Sequence, residues 1–199
     1  MPIEVDEARR LDEIAAATIQ VARERGVRSV TIRAVAEQLG GSTAMVTNYV
    51  PNRAALMVNA LRRSEEDWGQ QMDAELDGLS GQDKLRAAAR WMCTTEGDDH
   101  VQRRLRMEIA GAGPGAGPEV EEAKREAARR GHEELNELVS EAGLPAGELG
   151  ADILHLLFRG YWLATLEDPE GWPAERGARA ALAAIDLLQN GSPQKRTKG

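Results

Sequence analysis

The chain has 199 residues, 42% of them hydrophobic but only 4% aromatic, and a formal net charge of −8. That is enough apolar material for a sizeable core in one domain, or in two small helical ones. The acid excess argues against gripping nucleic acid by bulk charge, the single cysteine Cys93 excludes an intrachain disulfide, and no run of eighteen apolar residues is present to span a membrane.

Ala, Leu and Glu are abundant, so the expected fold class is all-α. The opening MPIEVDEARR lacks the apolar stretch of a signal peptide, and a cytoplasmic location is the expectation. The charge is unevenly spread. Residues 1–60 hold seven arginines and seven carboxylates, Arg62 and Arg63 follow directly, and the rest carries the deficit. A nucleic-acid-reading module, if present, lies in the first sixty residues and must aim a few arginines.

A first helix is predicted over about 6–25, with Leu11, Ile14, Ala15, Thr18, Val21 and Ala22 on one buried stripe. Gly26 ends it. Thr31 can cap a second helix whose inward residues are Ile32, Val35, Ala36 and Leu39. Gly40-Gly41 breaks that helix, and Ser42 can cap a third over 43–49, with Val46 inward and Val50 just beyond. Pro51 stops the third, and Asn52 caps a long fourth helix over about 53–77. Ser80-Gly-Gln-Asp83 has the form of a capping box opening a helix of about 82–95. Gly97-Asp-Asp reads as a turn. Helices are then predicted over about 100–110, 119–142, 146–166 and 173–189, with GAGPGAGP (111–118) as a flexible connector and 191–199 as a disordered tail.

The third helix is too short to be stable alone, so its neighbours must hold it. A tight glycine turn, an inward side that fixes its angle and an outward side without bulk near its start would let it enter a groove about 12 Å wide. Ser42, Thr43, Ala44, Thr47, Asn48 and Tyr49 give that outward side. Arg33, Asn52 and Arg53, with Ser42 and Tyr49, are expected on phosphates; Thr43, Ala44, Thr47 and Asn48 are expected to face bases, where Asn48 could pair with adenine and Ala44 or a Thr methyl could touch thymine. The same two-helix pattern also fits an ordinary helical hairpin.

Residues 8–60 resemble the DNA-binding domain of the TetR family of bacterial transcriptional regulators. The resemblance is carried by a first helix ending in Arg-Gly, Thr31 before the second helix, Ala36 with Leu39-Gly40, Ser42 to Val46, and Val50-Pro51-Asn52-Arg53 followed by Leu56. Thr47 and Val50 stand where many members have aromatic residues, and Arg53 stands where Lys is usual. Beyond residue 60 the sequence is weakly similar to the C-terminal region of the betaine-inhibitor-type branch. The resemblance implies a helix-turn-helix DNA-binding domain over 1–52, with Thr31 also at the DNA, and a helical effector-binding and dimerisation domain over 53–190.

Leu149, Ile153, Leu154, Leu156, Leu157, Phe158, Tyr161, Trp162, Leu163 and Leu166 wrap most of the 146–166 helix, as in a helix buried on more than one side. This helix and the small-residue helix 173–189 are expected to pair with their copies in a homodimer. Two reading helices would then meet successive major grooves of a roughly palindromic operator. Trp68, Met72, Trp91, Met92, Met107, Phe158 and Trp162 are candidate walls of a pocket for a small apolar or amphipathic effector that releases a repressor from DNA, although such residues also serve as plain core. No cofactor or metal is expected: His100, His132 and His155 lack ligand spacing, and no nucleophile elbow, P-loop or dinucleotide fingerprint is present. Arg103, Arg104 and Arg106 are expected on a solvated face. The rival readings are a small helical enzyme, which would need a converging acid–base or metal set, and a ligand-independent regulator or activator.

Overall fold

The computed structural model describes residues 3–94, 99–111 and 117–190. Gly97 and Asp98 of the predicted Gly97-Asp-Asp turn, most of the GAGPGAGP connector and the tail from 191 lie outside them, whereas Asp99 of that turn is the first residue of a helix. Among the described residues there are no strands. The helices are α1 (Ile3–Arg25), α2 (Ile32–Gln38), α3 (Thr43–Thr47), α4 (Arg53–Leu76), α5 (Gly81–Trp91), α6 (Asp99–Ala110), α7 (Pro118–Glu141), α8 (Gly147–Glu167) and α9 (Ala174–Asn190), with a 3₁₀ turn (Val27–Ser29) between α1 and α2. The chain divides by contact into one unit of Met1–Gln70 with Gly97–Glu126 and another of Gln71–Glu96 with Ala127–Gly199.

In the first unit, Ile14 and Val21 of α1, Val35 of α2, Val46 of α3, Leu56 of α4 and Leu105 of α6 share one core with Val27 and Val30 around the 3₁₀ turn. The short helix α3 is therefore held from several helices at once, which is what its shortness requires. α3 ends two residues earlier than its periodicity suggests. The amides of Tyr49 and Val50 both donate to the Val46 carbonyl, at 3.0 and 2.9 Å, and tighten the chain into a turn before Pro51.

α6 departs from the expected solvated arginine face. Its apolar side, Val101, Leu105 and Ile109, enters the core, and Gln102 and Arg103 are buried as well, leaving Arg104 outward. Arg106 Nη2 pairs with Glu65 of α4, both largely covered. Arginine stems bury readily when their heads find partners, so a run of arginines does not by itself mark a surface.

In the second unit, Leu85, Ala88 and Ala89 of α5, Leu135 and Val139 of α7, Leu154, Phe158 and Tyr161 of α8, and Ala181 and Ile185 of α9 are buried. The Tyr161 ring packs against Gly177 of α9, so close that a Cβ there would overlap it. Its hydroxyl donates to the Cys93 carbonyl at 2.9 Å, and Trp162 Nε1 donates to the Met92 carbonyl at 3.0 Å. Two aromatic side chains thus satisfy the carbonyls just beyond the end of α5. The Ser80 side chain does not cap α5. The Gly81 amide donates to Glu141 Oε1 of α7 at 3.3 Å, and Lys84 Nζ reaches Glu141 Oε2 at 2.9 Å. A carboxylate distant in sequence supplies the negative group that this helix start favours.

Candidate nucleic-acid interface

Three side chains begin helices α2, α3 and α4. Thr31 accepts from the Ala34 amide at 3.1 Å, Ser42 from the Met45 amide at 3.3 Å and Asn52 from the Ala55 amide at 2.9 Å. Each is an N-cap, and each typically contributes about 1 kcal/mol. α2 closes on Gly40, whose φ of +67° only glycine adopts easily, with the Gly41 amide donating to the Ala36 carbonyl at 2.9 Å. That turn launches α3 directly from α2.

α3 has two distinct sides. Val46 is fully buried, and Val50 behind it nearly so. Burial of each is worth roughly 1.5–3 kcal/mol, enough to fix the angle of a five-residue helix that propensity alone would not form. Ser42, Thr43, Ala44, Thr47, Asn48 and Tyr49 are all exposed, as are Thr31, Arg33 and Asn52. The exposed side carries no charge and little bulk before Tyr49. Thr43, Ala44, Thr47 and Asn48 thus lie together on a narrow face with hydroxyl, methyl and amide groups.

The flanking cations are less free than their positions suggest. Arg33 Nε donates to Glu37 Oε1 at 2.9 Å, one helical turn on. That hydrogen bond, and then the carboxylate charge, hold Arg33 above the ordinary arginine value. Arg53 is anchored more firmly. Its Nε donates to the Val30 carbonyl at 2.9 Å, and its Nη2 donates to the Val27 carbonyl at 3.2 Å and to Glu108 Oε1 of α6 at 3.1 Å. Arg25, just before the 3₁₀ turn, and Arg28, within it, are exposed and have no ion-pair partner among the described residues. The sequence reading passed over both, and it had no means of pairing Glu108 with Arg53 across 55 positions.

The second unit presents a different surface. Leu149, Ile153, Leu156 and Leu163 of α8 are 61%, 39%, 70% and 44% exposed, along one stripe with Gly160 between them. On α9, Ala180, Ala183 and Leu187 are exposed at matching helical spacing, Leu187 by 74%. The opposite sides of both helices form the unit's core, so their apolar character on all sides is accounted for by two different faces.

Of the proposed pocket residues, Trp68 and Met107 belong to the first unit; Met72, Trp91, Met92, Phe158 and Trp162 belong to the second. Met72, Met92 and Phe158 are buried, and the other four partly so. The structure brings Trp162 onto the Met92 carbonyl. Among the described residues, no three His, Cys, Asp or Glu side chains converge as metal ligands, and no helix is long and apolar enough to cross a membrane.

No protein-family model and no curated protein matches the sequence. Solved structures do match. A TetR-family transcriptional regulator from Rhodococcus sp. is similar over 92% of this chain and 99% of its own, with 17% identity and a TM-score of 0.74. The chain has the fold of the TetR-family regulators. A transcriptional regulator from Rhodococcus sp. Rha1 is similar over 92% of this chain and 98% of its own, at 21% identity and a TM-score of 0.73. A regulator from Saccharomonospora viridis, solved in complex with choline, matches 90% of this chain and 96% of its own, at 17% identity and a TM-score of 0.73. Within the TetR-type fold, the sequence-based assignment of an all-α architecture with an N-terminal helix-turn-helix is borne out.

Proposed function

We propose that the chain is a DNA-binding transcriptional regulator acting as a homodimer, with 1–52 as its reading domain and 53–190 as its effector-binding and dimerisation domain. The observation that carries this reading is α3: a five-residue helix locked from behind by Val46 and Val50, with only small or neutral polar side chains on its exposed face. A fold that stabilises so short an element has that face to present, and a duplex major groove accepts a face of this width. Thr43, Ala44, Thr47 and Asn48 read bases; Thr31, Arg33, Ser42, Tyr49, Asn52 and Arg53 set register on phosphates.

The exposed apolar stripes of α8 and α9 support dimerisation. An isolated soluble chain rarely leaves leucines on two adjacent helices this open, and a second copy covers them by two-fold symmetry. The dimer spaces two α3 helices about 34–36 Å apart, one duplex turn, and the operator is correspondingly palindromic. The chain represses, and a small apolar or amphipathic ligand held by Met72, Trp91, Met92, Phe158 and Trp162 of the second unit releases it by favouring a dimer with the wrong α3 spacing. The choline complex of the Saccharomonospora regulator supports a small-molecule effector as the class.

An electrophoretic shift on the chain's own upstream DNA tests the reading. Wild type should shift a palindromic fragment, and Ala44→Glu, which puts a carboxylate on the reading face without touching the core, should not. Equal shifts from both proteins would remove α3 as the reading helix.

A further inference from the structure

We propose that Glu108 is a built-in counter-charge to Arg53, through which α6 sets how strongly the reading module grips DNA phosphate. The inference rests on the DNA-binding reading above and adds a regulatory contact to it. Arg53 opens α4 directly after the reading segment, where a phosphate contact is expected. Three of its five N–H groups are committed, two to the carbonyls of Val27 and Val30 and one to Glu108. The pair is 39% and 37% exposed, so both partners face water, and none of the three bonds uses Nη1.

The contrast with Arg33 shows why this pairing matters. Arg33 and Glu37 are neighbours on one helix surface, 84% and 54% exposed. Such a pair is weak, and a phosphate displaces the carboxylate easily. Arg53 cannot swing away in the same manner without giving up two main-chain acceptors. Glu108 is equally constrained, because Val101, Leu105 and Ile109 fix α6 in the core that also holds Val27 and Val30. A phosphate at this guanidinium therefore meets one that already has a carboxylate 3.1 Å from Nη2, and the attraction is reduced.

The consequence is a brake on phosphate binding that does not require α3 to move. With Glu108 held beside Arg53 the grip stays weak, and removing that one carboxylate charge strengthens it.

Glu108→Gln tests this on the full-length chain. The amide oxygen can still accept from Nη2, so geometry is kept while the charge is removed. Binding to the chain's own upstream duplex and to an unrelated duplex should tighten alike, by about 3–10-fold at about 0.1 M salt. The plot of log affinity against log salt should steepen by up to about one per chain. Glu170→Gln, an equal change of net charge at an exposed loop residue, should do neither. The gain from Glu108→Gln should also vanish in an Arg53→Gln background. An unchanged slope in Glu108→Gln, or an equal gain from Glu170→Gln, overturns the proposal alone. Failure of wild type and Glu108→Gln to bind any duplex at low salt overturns the DNA-binding reading, and the proposal with it.

Discussion

Replacing Arg53 with Ala should do two separable things. On stability, the variant loses the hydrogen bonds to the carbonyls of Val27 and Val30, at 3.2 and 2.9 Å, and the ion pair with Glu108. Hydrogen bonds from a charged donor are worth about 1.5–3 kcal/mol each, but water can rehydrate part of what a half-exposed side chain uncovers. The exposed ion pair adds no more than about 1 kcal/mol. The expected net loss is about 2–3 kcal/mol, or roughly 5–10 °C in midpoint for a chain of this size. On binding, the variant should weaken on all duplexes alike and lose about one unit of salt slope per chain. Arg53→Lys separates the two effects. Its ammonium keeps the charge and the slope, but it cannot span both carbonyls, so part of the thermal loss should remain. Thermal unfolding followed by circular dichroism, alongside salt-dependent shifts, reads both. A midpoint within about 1 °C of wild type for Arg53→Ala would show that the guanidinium does not hold the 3₁₀ turn in solution, and the anchoring argument would fail.

Four further outcomes follow from the geometry. Leu156→Asp alters a side chain 70% exposed in the single chain, so its folding should change by under about 0.5 kcal/mol, while its dimer should weaken by about a hundredfold or more in sedimentation; a variant that dimerises as tightly as wild type would refute the α8 interface. Gly177→Ala puts a methyl into the Tyr161 ring and should cost about 1–3 kcal/mol in urea unfolding; a rise in midpoint, the sign that helix propensity alone predicts, would refute the packing. Lys84 first, and then the Gly81 amide, hold Glu141 below its ordinary value of 4.5, so its stabilisation is complete above that pH and is lost as pH falls through the lower folded value; the midpoint gap between wild type and Glu141→Gln should be open at pH 7 and close in acid, and a gap unchanged at pH 3 would sink the pairing. Asn48→Ala should cost about 1–3 kcal/mol at a single base position, whereas a uniform loss across sequences would place Asn48 on the backbone.

What could be read from the sequence was local. Thr31, Ser42 and Asn52 cap their helices as their positions suggested, because a cap is decided within three residues of itself. Val46 and Val50 were identifiable as the inward side of α3 by spacing alone. Ser80 shows where that reasoning stops. It has the right local pattern, but Glu141, 60 positions away, meets the Gly81 amide, and no short window contains both. The same limit hid Glu108 from Arg53, and Glu65 from Arg106. Arg103 was assigned to solvent because arginine usually lies there, yet α6 is covered on nearly every side and carries the side chain inward with it. The apolar wrap of α8 predicted two covered faces; only the packed chain shows that one of them lies open in a single copy.

These pairings bear on how an acidic chain can hold a polyanion at all. The first sixty residues are neutral by count, and Arg33 and Arg53 each already face a carboxylate. Arg25 and Arg28 are exposed without such a partner among the described residues, so they are better placed than the count suggests to meet phosphate. Even so, a single module with so few uncommitted cations releases few counterions and binds weakly at physiological salt. In the proposed dimer, two modules would bind the second site at a high effective concentration, which multiplies affinity only where both half-sites are correctly spaced. Weak charge in each module therefore favours discrimination: adding cations would strengthen every duplex alike, whereas pairing two modest modules strengthens only the palindrome. The balance of Arg53 against Glu108 acts on the first of these terms and the α8–α9 face on the second, so substitutions at the two places should differ in salt dependence and in their preference for operator over unrelated DNA.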